Sequence, residues 1–203
     1  MLVTLRFAMS GVKMVFAYDT EVALGSAAAL VNTGYQEPDP LANDAGLTRF
    51  LTVEGFSGSR THTPAELRAV QRLRSDLTTL WTAGEEELVI GINRLLSAAS
   101  ALPQLVRHDD WGWHLHCTPP EAALADRMAT EAAMALADVV RAGELGRLRT
   151  CAAPDCRSAV VDLSRNRSKR YCDTGNCGNR EHVRSYRTRR AGRETSPLPA
   201  NRP

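Results

Sequence analysis

The chain has 203 residues, of which 43% are hydrophobic, 24% charged and only 5% aromatic. This is a globular composition with a core of Ala, Leu and Val, and it excludes wholesale disorder and fibres. Apolar runs such as Ala27 to Val31 fall far short of the ~20 residues that span a bilayer, and the N-terminus lacks the pattern of a secretory signal. The net charge of +2 hides a split: residues 1–146 carry 11 Lys/Arg against 18 Asp/Glu, and residues 147–193 carry 13 against 4. An acidic body therefore precedes a basic module, and only the module suits a polyanion.

Met14 offers a second start, so the body is taken as residues 14–146. Phe16 to Leu24 reads as a strand that turns near Asp19, and Ser26 as the cap of a short helix, Ala27 to Asn32. Residues 34–45 are rich in turn formers and read as a loop. Leu47, Phe50, Leu51 and Val53 suggest a short helix ended by Gly55. Thr63-Pro64-Ala65-Glu66 is a capping box with proline at the first helical position. It opens a helix with Val70, Leu73, Leu77, Leu80 and Trp81 at helical spacing, expected to run to Ala83. Glu85, Glu86 and Glu87 favour the start of the next helix through the macrodipole. Its apolar face is Leu88, Ile92, Leu95 and Leu96.

Residues 104–117 break the helical pattern. Leu105 and Val106, a turn at Asp109-Asp110, and alternating Trp111, Trp113, Leu115 and Cys117 predict a β-hairpin. Thr118-Pro119-Pro120-Glu121 repeats the capping box and is expected to open the longest helix, to Leu145. Trp81, Trp111 and Trp113 are expected in the core. Alternatively, Asn32, Trp111 and Trp113 line a small-molecule pocket for an effector. His114 and His116 share one strand face beside Cys117; they read as ordinary surface or half-buried histidines rather than a second metal site.

From residue 147 the chain becomes basic and rich in cysteine. Cys151 and Cys156 form one C-x4-C pair, Cys172 and Cys177 another, with fifteen residues between the pairs. Two such pairs supply four thiolates to a tetrahedral ion with no open position, which suits one structural Zn²⁺. Turn formers inside each pair let both sulfurs face one point. Disulfides and an iron–sulfur cluster are the competing readings; a cytoplasmic location and the basic surroundings favour zinc. A module of about 40 residues builds too little core alone, so the metal supplies folding free energy.

Two basic segments flank the second pair. One is Arg165, Arg167, Lys169 and Arg170; the other is a helix after Cys177 bearing Arg180, Arg184, Arg187, Arg189 and Arg190. Arg180, Arg184 and Arg187 share a face, and Val183 and Tyr186 are expected to pack on the finger. Arginines at this density neutralise phosphates and can read guanine edges, so DNA is the expected partner. The competing view is a protein-docking module held by zinc, or a ligand-binding body with the finger as a tether. No nucleophile elbow, phosphate loop or HExxH occurs, and no enzyme is expected.

The text Cys151-AAPD-Cys156, then SRNRSKRYC and the literal Cys177-Gly178-Asn179-Arg180 before a basic helix, resembles the CGNR zinc finger family. The region before it, with Leu30-Val31-Asn32-Thr33 near its start, is similar to the ABATE domain of stress-induced transcription regulators from bacteria. The resemblance implies zinc on Cys151, Cys156, Cys172 and Cys177, and a DNA-binding role. The expected fold is mainly α with a small β-hairpin component (α+β) and a C-terminal treble-clef-like zinc finger. The expected organisation is a sensor or homodimerising body at 14–146, the finger at 147–193, and a disordered tail at 194–203.

Overall fold

The computed structural model describes residues 15–107 and 112–194. The expected start at Met14, the Asp109-Asp110 turn, Trp111 and all but the first residue of the tail lie outside them. The architecture is mainly helical, as predicted, and carries two small antiparallel hairpins, one in the predicted place and a second in the finger.

Helix α1 spans Tyr18–Thr33 and replaces the predicted strand and short helix with one element. Thr20, Leu24, Ala27 and Val31 recur at helical spacing and are all buried. Ser26 is buried in mid-helix and caps nothing. The chain entering α1 is tied down by Glu21, whose carboxylate accepts from the Val15 and Phe16 N–H groups at 2.8 and 3.2 Å. Helix α2, Asp44–Glu54, begins inside the predicted loop because Asn43 caps it, accepting from the Gly46 N–H at 2.9 Å. Gly55 ends it with φ +74°, a conformation open to glycine at no steric cost.

Helix α3, Pro64–Trp81, has the predicted cap: the Thr63 hydroxyl accepts from the Glu66 N–H. Glu66 does not complete the box at Thr63. It accepts instead from the Thr61 and His62 N–H groups, at 2.8 and 3.1 Å, and from Arg60. The helix stops at Trp81, short of Ala83. Helix α4, Glu85–Ala98, starts on its three glutamates as predicted.

Strands β1, Gln104–Val106, and β2, His114–His116, form the predicted hairpin, with Leu105 opposite Leu115. Its faces are the reverse of the expectation. Trp113 is 68% exposed and Leu105 and Leu115 point to solvent, while His114 is buried. The imidazoles satisfy one another on the inner face, Nε2 to Nε2 at 3.1 Å, and His114 Nδ1 pairs with the Gly112 carbonyl at 2.9 Å. Arg107 lies 5.2 Å over the Trp113 ring on the outer face.

Helix α5 runs Leu124–Arg141, shorter at both ends than expected. Pro119 precedes another proline, which disfavours the α region at what would be the first helical position. Residues 119–122 form a turn instead, and the Pro120 carbonyl accepts from the Ser59 hydroxyl at 3.2 Å. Ala129, Ala132, Ala133 and Ala135 of α5 are buried, so α1 and α4 approach it closely.

A 3-10 turn, Leu145–Arg147, leads to β3, Leu148–Thr150, paired antiparallel with β4, Ala159–Val161. Side chains on β4 alternate: Ala159 and Val161 join the helical core, and Val160 joins the cysteine cluster. Helix α6 spans Cys177–Glu194. Residues 182–190 are all exposed, including Val183 at 46% and Tyr186 at 56%. The expected packing of these two on the finger does not occur.

Candidate metal centre and nucleic-acid interface

The zinc-ligand geometry is built by short elements. Cys151 follows β3, and a tight turn, with the Cys156 N–H donating to the Ala153 carbonyl at 3.1 Å, brings Cys156 back to it. Cys177 is the first residue of α6, and the turn from Cys172 passes through Gly175. A Cβ on Gly175 would stand 3.0 Å from the Cys177 sulfur, so the turn is packed against the cluster itself.

The four sulfurs lie within 4.8 Å of one another, with Cys156 to Cys172 at 3.8 Å and Cys172 to Cys177 at 3.6 Å. Zn–S bonds of ~2.3 Å in a tetrahedron require sulfur separations of about 3.8 Å. All five cysteines of the chain are free, so the disulfide reading fails. Sulfurs this close leave no space for inorganic sulfide between them, which removes the iron–sulfur cluster. Cys151, Cys172 and Cys177 are buried and Cys156 half-buried, a closed site of four soft donors. The set fits one structural zinc ion.

The thiols also show why a cation belongs among them. Burial opposes the Cys172 thiolate, yet hydrogen bonds from the Thr174 side chain, the Gly175 N–H and the neighbouring cysteines bring its pKa down to about 6. Burial and the three other sulfurs drive Cys177 up to about 12, against the pull of Arg180. Burial raises Cys151 as well. Crowded sulfurs resist further ionisation after the first, and a dication reverses that preference. The backbone contributes too: the Cys172 N–H donates to Cys151 Sγ at 3.4 Å.

The two predicted basic segments meet at the root of α6. One groove is bordered by Ser168 to Asp173 and by Asn176, Gly178 and Asn179; another runs along Arg180, Arg184 and Arg187. The nine predicted cations are not equivalent. Arg167 pairs with Glu144 at 2.7 Å, Lys169 with Asp173 at 2.7 Å and Arg184 with Glu181 at 3.2 Å. Arg170 lies 5.7 Å over the Tyr171 ring. Arg180 is held by Cys177 and Asp155. Arg165, Arg187 and Arg189 are exposed and face no acid among the described residues. Arg190 is also exposed.

The predicted pocket residues do not converge. Asn32 is buried, with its amide taken by β4: Nδ2 donates to the Ala159 carbonyl at 3.0 Å, and Oδ1 accepts from the Ala159 N–H at 2.6 Å. Trp113 stands in solvent on the hairpin, and Trp111 lies outside the described residues. Of the tryptophans expected in the core, Trp81 is there, and its indole N–H donates to the Arg149 carbonyl at 3.0 Å.

Asp162 is a buried organising residue of the finger that sequence reasoning missed. It is fully buried and accepts from the Ser164 and Lys169 N–H groups, each at 3.0 Å, with Arg149 at 3.3 Å. Burial alone would raise its pKa, but these donors hold it below the ordinary carboxylate value. It thereby folds the basic segment 165–170 into a loop. The sequence signal was slight, an acid closing a short apolar strand.

A comparison with curated proteins finds no match. Among the described residues, no helix is long and apolar enough to cross a membrane. Two family profiles match, in chain order. Residues 26–143 match ABATE, described as "Putative stress-induced transcription regulator", and residues 147–190 match the CGNR zinc finger. The first covers more than half of the chain and the second contains all four clustered cysteines, so the chain belongs to the ABATE family and ends its matched region in a CGNR zinc finger.

Proposed function

We propose that this protein is a zinc-dependent, DNA-binding transcription regulator of the cytoplasm, without catalytic activity, in which α6 enters the major groove. The observation that carries this reading is the distribution of charge on a helix that nothing covers. At about 100° per residue, Arg180, Arg184 and Arg187 fall within a sector of about 60°. Arg190 flanks that sector and Arg189 projects from the opposite side, and residues 182–190 are exposed throughout. A helix in the major groove meets a phosphate backbone on each flank and base edges below. Cations around the circumference suit that setting better than they suit a flat acidic protein surface.

Residues 147–193 act as the DNA-binding module, with Arg165, Arg167, Lys169 and Arg170 beside the helix on the same strand of phosphates. The acidic body, residues 14–146, is repelled by DNA and serves to dimerise or to sense an effector.

The test is binding of the full chain to mixed duplex DNA over a range of salt. Contacts from Arg165, Arg167, Lys169, Arg170, Arg184, Arg187, Arg189 and Arg190 predict a slope of log K against log salt of about −7. Arg187→Ala should reduce its magnitude by about one, uniformly across sequences. Binding that ignores salt, or an Arg187→Ala slope equal to wild type, removes α6 from the interface.

A further inference from the structure

We infer that Arg180 belongs to the metal centre rather than to the nucleic-acid surface: its guanidinium ties the two cysteine pairs together and carries the charge of the Cys177 sulfur. One nitrogen donates to Cys177 Sγ at 3.1 Å, and the other donates to Asp155 at 3.1 Å. Asp155 lies within the Cys151–Cys156 turn, and Cys177 opens α6. A single planar fork therefore spans both halves of the site, a role for which the ammonium of lysine, a point charge, is a poor substitute.

Charge gives the contact its purpose. Four thiolates on a divalent ion leave the centre doubly negative, in a site where three of the four sulfurs are buried. A cation donating to one sulfur spreads that charge and strengthens the site, as hydrogen bonds to metal ligands do elsewhere. Arg180 follows Cys177 by three residues, so one turn of α6 returns its side chain over the sulfur. Arg184 and Arg187, one and two turns further on, have left the cluster behind. The inference rests on the zinc assignment and is independent of DNA binding, and it accords with leaving Arg180 out of the phosphate contacts counted above.

The experiment uses the zinc-loaded full chain and its Arg180→Met, Arg180→Lys and Asp155→Asn variants. Transfer of zinc to a chromophoric chelator should show affinity about ten- to a hundredfold weaker in Arg180→Met. Arg180→Lys and Asp155→Asn, which each keep part of the bridge, should fall between it and wild type. In the cobalt-substituted protein, loss of the N–H donor should move the sulfur-to-cobalt charge-transfer band to lower energy in Arg180→Met; Arg187→Ala should leave that band in place. Wild-type zinc affinity together with an unmoved band in Arg180→Met overturns the inference. So does a DNA salt slope that falls by about one in Arg180→Met with zinc fully loaded, because that is the mark of a phosphate contact. If Arg180→Met does not fold, Asp155→Asn decides, since it keeps every ligand and the arginine: unaltered zinc affinity there refutes the bridge. If wild type binds no DNA, the proposed function fails while the chelator and cobalt measurements still decide the place of Arg180.

Discussion

Cys172 lies in the sulfur cluster, 3.8 Å from Cys156 and 3.6 Å from Cys177. Replacing it with serine exchanges a soft donor for a hydroxyl that stays protonated at neutral pH, so the ion loses a quarter of its shell. Zinc content of purified Cys172→Ser should fall well below one per chain. Amide exchange in residues 147–190 should become fast, because a segment this small lacks the core to hold itself. A protected finger without metal would contradict the structural role. At this scale the ligands were legible in the sequence, since paired cysteines announce their chemistry through spacing alone. The partners of individual arginines were not. Arg167 reaches Glu144 and Arg180 reaches Asp155 across more than twenty residues of chain, and no local pattern encodes such encounters. Asp162 was hidden for a similar reason: its value lies in the loop it gathers, not in its neighbours.

Among the elements, α3 and α4 were readable because each buries one face and leaves the other polar. Helix α1 was misread because it has no such contrast. It packs against α5, α3 and β4, so apolar and small residues occupy most of its circumference and the helical period fades. The hairpin was placed correctly but turned over, since histidines that satisfy each other can face inward as well as tryptophans can. Where α1 and α5 meet, alanines set the distance between helices. Ala133 of α5 is fully buried in the body core, and interiors packed to this density do not yield to added volume. Ala133→Leu should therefore lower stability by about 1–3 kcal/mol, read as a shift in the urea midpoint of the helical signal. An unchanged midpoint would mean that slack remains around α5.

Considered as a whole, the molecule is two cores that share one strand. Val160 faces the cysteine cluster while Ala159 and Val161 face the helices, so β4 is a wall common to both. Its free edge is closed by Asn32, whose amide pairs with both polar backbone groups of Ala159 as a third strand would. Trp81 adds a second tie to β3 through Arg149. The root of α6 is therefore oriented by the body as well as by the metal, and any change in the body that moves α1 reaches the finger through Asn32. Asn32→Ala tests this directly. It leaves a buried N–H and C=O of Ala159 without partners, each costing about 1–3 kcal/mol, so thermal unfolding of the body helices should come at distinctly lower temperature. Zinc content should stay at one per chain, because no ligand is touched. The expected signature is loss of coupling: removing zinc from wild type should lower the melting temperature of the body, and the same treatment should lower that of Asn32→Ala much less. Equal responses to zinc removal in both proteins would show that the two cores communicate by some route other than this amide.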